Sequence, residues 1–163
     1  MRLMVTGATS LIGSGVVAAA VARGDDVVCF QRGDPGADVA GADVVQGDVR
    51  DLDAVIRTIR GCDGVIHLAA KVGVTGSWEE YRSVNVDGTA NVVGAALALG
   101  VPRVVHVSSP SVAHGGEPIV GGEAEAPVLG RRRAWYPESK ALAEIAALAP
   151  ALDDDTSADI GVV

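Results

Sequence analysis

Aromatic residues make up only 3% of this 163-residue chain, although 48% of it is hydrophobic. A core without aromatic bulk must be filled by Val, Ala, Leu and Ile, which suits a buried parallel sheet covered by close-packed helices. Cysteine is scarce as well. Cys29 and Cys62 have no Cys-x-x-Cys or Cys/His neighbour, which argues against a metal site and for two buried thiols in a reducing compartment. No apolar run reaches the ~18 residues of a membrane span, and no signal-peptide pattern precedes the first apolar stretch. A cytoplasmic, soluble protein with no membrane partner is therefore expected. Positive charge is also in short supply: 13 Lys and Arg against 21 Asp and Glu leave a net charge of −8. That balance argues against nonspecific nucleic-acid binding, which relies on basic surface to neutralise phosphate. The basic run Arg131–Arg133 reads as a solvated loop. The 21 glycines follow no fixed period, so collagen-like and linker readings fail.

What is present is an alternation. The length suits one domain with a real core. Strands are predicted at Arg2–Thr6, Asp26–Gln31, Asp43–Gln46, Gly64–Ala69, Arg103–Ser108 and Asp159–Val163. Helices are predicted at Leu11–Ala22, around the stripe Leu52, Val55, Ile56 and Ile59, as one long run over Trp78–Leu99, and over Tyr136–Leu148. Such spacing implies a Rossmann-type, doubly wound parallel α/β sheet with order 3-2-1-4-5-6. Residues 115–133 are rich in Gly, Pro and Glu and read as a mobile loop or a lid. Residues 150–157, with Asp153–Asp155, read as a surface turn. The chain stops inside its sixth strand, so 1–163 is expected to be the dinucleotide-binding, N-terminal part of a longer protein, without its substrate-binding part.

Two stretches carry chemistry. Val5-Thr-Gly-Ala-Thr-Ser-Leu-Ile-Gly13 is a strand turning through small residues into a helix, the geometry that receives a pyrophosphate. Gly7 and Gly13 take the outer positions of a Gly-x-x-Gly-x-x-Gly pattern, and Ser10 replaces the central glycine. That serine fits only if its side chain turns away from the phosphates. Asp48, after the third strand, is placed to accept a hydrogen bond from an adenine amine, while Asp51 is the better helix cap. Leu68, Ala69 and Ala70 end the fourth strand with little bulk, and His67 just before them reads as a packed core residue. The second stretch is Tyr136-Pro-Glu-Ser-Lys140. Spacing of four on a helix stacks Tyr136 and Lys140 on one face. A tyrosine hydroxyl titrates near ~10 in water, so a tyrosine acting as a base near neutrality needs a positive charge close by. Ser109, beyond the fifth strand, completes a proton-transfer site, with Ser111 as its competitor.

Thr6-Gly-Ala-Thr-Ser-Leu-Ile-Gly13, Gly47-Asp48, Leu68-Ala-Ala70, Asn85-Val-Asp-Gly-Thr89, Ser108-Ser109 and Tyr136-x-x-x-Lys140 stand in the order seen in extended short-chain dehydrogenases/reductases. The chain resembles most the 3β-hydroxysteroid dehydrogenase-like, NAD-dependent epimerase/dehydratase branch. The resemblance covers the whole chain and implies a nicotinamide dinucleotide held by Gly7, Thr9, Ser10, Leu11, Ile12, Gly13, Gln31, Arg32, Asp48, Val49, Leu68, Ala69 and Ala70. It further implies that Lys140 binds the nicotinamide ribose, that Tyr136 exchanges a proton with the substrate, and that Ser109, aligned through Val112, binds the same oxygen. Asn85 supports a proton relay by the same resemblance.

The reading is thus an NAD(P)-dependent oxidoreductase acting on a small-molecule secondary alcohol or ketone. Nucleotide-sugar epimerisation or dehydration is a sub-option, a non-catalytic sensor of NAD(P) the alternative, and a homodimer is allowed. At the end of the second strand, Phe30-Gln31-Arg32 has no acid to repel a 2′-phosphate, and Arg32 offers a planar, permanent charge to hold one. NADP is favoured on that ground, with NAD kept open because Asp34 lies close by.

Overall fold

The computed structural model describes residues 1–33, 39, 41–113, 134–152 and 158–163. The expected lid at 115–133, the basic run at 131–133, Asp34 and the acidic turn at 153–155 lie outside the described residues.

Among the described residues six strands, β1 (Arg2–Thr6), β2 (Asp26–Gln31), β3 (Asp43–Gln46), β4 (Gly64–His67), β5 (Arg103–His106) and β6 (Asp159–Val162), form one sheet in the order β3-β2-β1-β4-β5-β6. Every neighbouring pair is parallel, as the alternation with helices requires. The helices are α1 (Leu11–Ala22), α2 (Leu52–Ile59), α3 (Trp78–Tyr81), α4 (Gly88–Ala98) and α5 (Trp135–Leu148).

The strands are apolar on both faces, and each face has its own core. Leu3, Val5, Val27 and Cys29 point one way and meet Val17 and Ala20 of α1. Met4, Val28, Phe30, Val65 and Val104 point the other way and meet Val55 and Ile59 of α2, Val92 and Ala96 of α4, and Ala147 of α5. Strand period two against helix period 3.6 produces this division. Burial pushes the Cys29 thiol up to about 11, so it packs as an inert hydrophobe. Among the described residues no helix is long and apolar enough to cross a membrane.

Three expectations need correction. The run Trp78–Leu99 is not one α-helix: α3 opens on a capping box between Ser77 and Glu80, then gives way to a π-helical stretch, Arg82–Asp87, before α4. There the Gly88 N–H donates to Ser83 O, five residues back. Strands β4 and β5 each end two residues early, at His67 and His106. Pairing lingers beyond them, with Leu68 N–H on Thr6 O (3.3 Å) and Val107 N–H on His67 O (3.0 Å), but the chain is already leaving the sheet. In α2, Leu52 is exposed although it belongs to the apolar stripe. The buried face is instead Ala54, Val55, Thr58 and Ile59. Thr58 is tolerated there because its hydroxyl donates to Ala54 O (2.9 Å).

Candidate functional site

The sheet order reverses direction between β1 and β4, and a parallel sheet opens a crevice beyond its strand ends at such a point. A cleft of about 320 Å³ lies there. Ten of the predicted cofactor residues line it, from Gly7, Thr9 and Ser10 on one side, through Gln31, Arg32, Asp48 and Val49, to Leu68, Ala69 and Ala70.

The glycine turn is built without room for side chains. Gly7 has φ +68°, and a Cβ there would sit 2.8 Å from Ala69 N. A Cβ on Gly13 would collide with the carbonyl oxygen of Gly7. Ser10, in the place of the usual central glycine, spends its hydroxyl on the turn itself. It donates to Gly7 O (2.9 Å) and accepts from Gly13 N–H (3.0 Å), capping α1. Leu11 and Ile12, in the first turn of α1, remain 93% and 61% exposed, so apolar surface is left at the mouth of the helix.

Across the cleft, Gln31 is buried; its amide donates to Gly33 O (2.9 Å), and among the described residues its Oε1 has no partner. Arg32 is exposed at the rim. Asp48 is gripped by Arg50, whose Nε and Nη2 reach its two oxygens at 3.0 and 2.6 Å and whose backbone N–H adds a third bond. These bonds hold the Asp48 carboxyl below the usual carboxylate range. Asp51 caps α2 through Ala54 N–H (3.0 Å), as expected.

Under the glycine turn runs a hydrogen-bond chain that sequence reasoning missed. Thr6 Oγ1 accepts from the N–H groups of Leu68 and Ala69 and lies 2.7 Å from His67 Nδ1. His67 Nε2 is 3.0 Å from Thr89 Oγ1, and the Thr89 hydroxyl donates to Asn85 O (2.6 Å). Since the Thr89 proton is committed to Asn85, His67 must carry its own proton on Nε2 and accept from Thr6 at Nδ1. Burial, with a contribution from Lys140, lowers the His67 pKa to about 3. The expected core histidine is thus the peg on which the 68–70 segment hangs. A threonine in the first motif and another in the fourth were the available signal.

Asn85 sits in the π-helical stretch, buried. Its Oδ1 accepts from Lys71 N–H (2.6 Å), and its Nδ2 donates to Lys71 O (3.0 Å) and Ser139 Oγ (2.8 Å). Gly88 of the same motif leaves space for Val49, which a Cβ would approach to 2.6 Å. The Trp78 and Trp135 rings, 5.7 Å apart, join the starts of α3 and α5.

Helix α5 starts at Trp135, one residue before the expected Tyr136, and Lys140 follows Tyr136 by one turn. Lys140 is buried. Its ammonium donates to Val107 O (2.7 Å) and lies 3.4 Å from His106 Nε2. Burial lowers its pKa to about 8, with Glu144 acting in the opposite sense. His106, its ring tilted 34° from that of His67 with centroids 5.3 Å apart, is lowered to about 2, mainly by burial. Ser109 caps the 3-10 turn Pro110–Val112 and lies 2.9 Å from Ser111 Oγ, so both serine candidates share one hydroxyl pair. That turn packs against α5. Among the described residues, no three of His, Cys, Asp and Glu gather as a metal-holding group.

These features suit a dinucleotide: a turn at a helix N-terminus where a Cβ on Gly7 or Gly13 would collide with backbone, a cleft walled by Ala69 and Ala70, and a guanidinium at its rim. They define a Rossmann-type domain. The profile described as the NAD dependent epimerase/dehydratase family matches residues 3–161. The chain belongs to that family. It is 38% identical over 152 residues to a 2-alkyl-3-oxoalkanoate reductase of Stenotrophomonas maltophilia, covering 91% of this chain and 46% of that protein. It is 36% identical to a 3 beta-hydroxysteroid dehydrogenase/Delta 5-->4-isomerase of Mycobacterium tuberculosis, covering 88% of this chain and 41% of that one. Among solved structures, MoeE5 in complex with UDP-glucose and NAD superposes with a TM-score of 0.85 at 32% identity, over 99% of this chain and 53% of MoeE5. The chain thus spans less than half the length of these curated relatives.

Proposed function

We propose that the chain is the dinucleotide-binding portion of an NAD(P)-dependent oxidoreductase that interconverts a secondary alcohol and a ketone on a small molecule. The observation that carries this reading is the start of α5, where Tyr136 precedes by one turn a buried ammonium anchored on the end of β5. A lysine with no such task would keep its head in water.

The turn Gly7–Gly13 and the segment Leu68–Ala70 would hold the dinucleotide, with Gln31, Arg32 and Asp48 around its adenosine. When bound, it supplies the hydride acceptor or donor. The protein's part is the proton. Tyr136 gives its hydroxyl proton to, or takes one from, the substrate oxygen. Lys140 stabilises the phenolate so formed, because opposite charges in a partly dry site interact strongly. Ser109, supported by Ser111, donates a hydrogen bond to the same oxygen. Asn85 fixes the 71 loop against Ser139 and so the face on which Tyr136 sits. Turnover in the whole protein should fall by at least ~100-fold in Tyr136→Phe, the scale of general acid–base catalysis. Folding and dinucleotide affinity should be retained. Steady-state rates within a few-fold of wild type would remove Tyr136 from the mechanism.

The reductase and hydroxysteroid dehydrogenase relatives favour the alcohol–ketone reading, whereas MoeE5 was solved with UDP-glucose and favours nucleotide-sugar chemistry. Hydride exchange between labelled dinucleotide and the two substrate classes separates them, and exchange with neither favours a sensor.

For the cofactor, Arg32 supports NADP, while the NAD bound in the MoeE5 structure makes NAD the competitor. Titration of both dinucleotides against Arg32→Ala decides the matter. A charge-assisted contact of ~1.5–3 kcal/mol predicts a loss of more than about tenfold for NADP and almost none for NAD. Equal losses would end the assignment.

A further inference from the structure

Resting on the assignment of Tyr136, Lys140 and Ser109 to one proton-transfer site, we propose that Glu144 is a positioning residue of that site. Its carboxylate ties the Ser108–Ser109 segment to α5 and keeps the Lys140 head charged.

Glu144 is only 7% exposed. An ionised carboxylate taken out of water costs several kcal/mol unless it is met by donors or charge. Helix packing does not demand it: the neighbouring buried positions of α5 are Ala141, Ala143 and Ala147. The carboxylate is met instead by a working part of the molecule. The Ser108 hydroxyl donates to Glu144 Oε2, and Ser108 is the residue before Ser109. Beyond His106, β5 has left the ladder, and the backbone there is held by Ser108 N–H on Val163 O (2.6 Å). Together with the Lys140 ammonium on Val107 O, the Ser108–Glu144 bond ties this departing segment to the helix carrying Tyr136 and Lys140.

Glu144 also lies one turn after Lys140, on the same helix face. One turn before Lys140 stands Tyr136, negative only as the phenolate of the proposed step. From β5 comes His106 and from β4, behind it, His67, both held neutral by burial. The π-helical stretch offers the neutral amide of Asn85, reaching Ser139, while its exposed Arg82 and Asp87 pair with each other at 3.6 Å. Lys71 is turned to Glu80 at 3.7 Å. On β6, Asp159 is exposed. Glu144 opposes the loss of a proton by this ammonium.

The two roles come apart in two variants of the whole protein. Glu144→Gln keeps an acceptor for Ser108 and removes the charge, whereas Ser108→Ala removes the tie and keeps the charge. NMR titration of labelled lysine in dinucleotide-free protein should show Lys140 losing its proton about one pH unit earlier in Glu144→Gln. The alkaline limb of the kcat profile should move with it. Ser108→Ala should leave that titration in place, lower kcat by about 10- to 100-fold through misplacement of Ser109, and speed amide hydrogen exchange over 107–113. Glu144→Asp should restore the titration but not the exchange protection. A Lys140 titration unmoved in Glu144→Gln, or unchanged kcat and exchange in Ser108→Ala, overturns the proposal. If Tyr136→Phe keeps full activity while Glu144→Gln still moves Lys140, the proton-transfer reading falls and the hold of Glu144 on Lys140 survives.

Discussion

Lys140→Met is expected to make the domain more stable at pH 7 while removing the activity proposed for the whole protein. Burial lowers the Lys140 pKa from the usual 10.5 to about 8. A fall of that size means that folding works against the charged amine by about 3 kcal/mol. Methionine has similar length and no charge to desolvate. Losing the bond to Val107 O returns about 1 kcal/mol of the gain. A net gain of about 2 kcal/mol should raise Tm by about 4–8 °C in a domain of this size. The pH dependence has a definite sign. Between 8 and 10.5 the unfolded chain holds a proton that the folded chain has released, so wild-type stability rises with pH across that window. The cost is fully present below 8 and has vanished above 10.5. The advantage of Lys140→Met in urea unfolding should therefore be flat below pH 8 and shrink towards pH 10. A variant less stable than wild type at pH 7 would show that the buried amine is not a cost. A residue that lowers stability where it sits is retained for what it does.

Acid should unfold the domain through its two buried histidines. His67 and His106 are lowered from 6.5 to about 3 and about 2 by burial. Below pH 6.5 the unfolded chain takes up protons that the folded chain refuses, so stability falls as pH falls. Each histidine contributes a slope of about 1.4 kcal/mol per pH unit, and the pair about 2.7. A domain of ~8 kcal/mol, typical of its kind, would be exhausted about three pH units below 6.5. The window from about 5.3 to 6 isolates the histidines, because carboxylates there are still about nine-tenths or more ionised in both states. Unfolding free energies across it should give a slope near two protons, halved in His106→Leu. A flat profile would mean that the folded state accommodates both charges. The chemical reason for its refusal is specific at His67. A second proton would turn Nδ1 from acceptor into donor, facing a Thr6 oxygen that already takes two N–H groups.

Much of this architecture was legible in the residues. Alternating apolar strands and helical stripes fix the sheet order, because a right-handed crossover leaves few other topologies. Gly7 and Gly13 were readable because backbone approaches of this kind exclude any Cβ, a constraint sequence displays directly. What was not legible depends on partners distant in the chain. The Thr6–His67–Thr89 chain spans three motifs, and each member alone reads as core or cap. Glu144 reads as an ordinary polar helix position until the fold sets Ser108 beside it, 36 residues earlier in sequence. Leu52 fits the stripe of α2 by spacing, yet the helix turns Ala54 and Thr58 inward, because the sheet surface sets which face is covered. The break in the run Trp78–Leu99 had no compositional mark: neither proline nor glycine stands in residues 78–87, and Gly88, which opens α4, is needed for Val49.

That break has a consequence for which changes in length the chain tolerates. A π-helical turn is an α-helix holding one residue too many. Deleting a single residue between Arg82 and Asp87 would let the segment relax into the more regular helix that its composition prefers. The flanks would stay nearly in phase, because the widened turn had absorbed the surplus residue, but the residues inside it, Asn85 among them, would be turned by up to about 100°, one residue's share of a 3.6-residue turn. Asn85 would then no longer address Lys71 and Ser139 while Thr89 addresses His67. Substitutions here can be graded and partly compensated. A one-codon loss would act as a frame error in three dimensions, improving the helix locally and dismantling the site it serves.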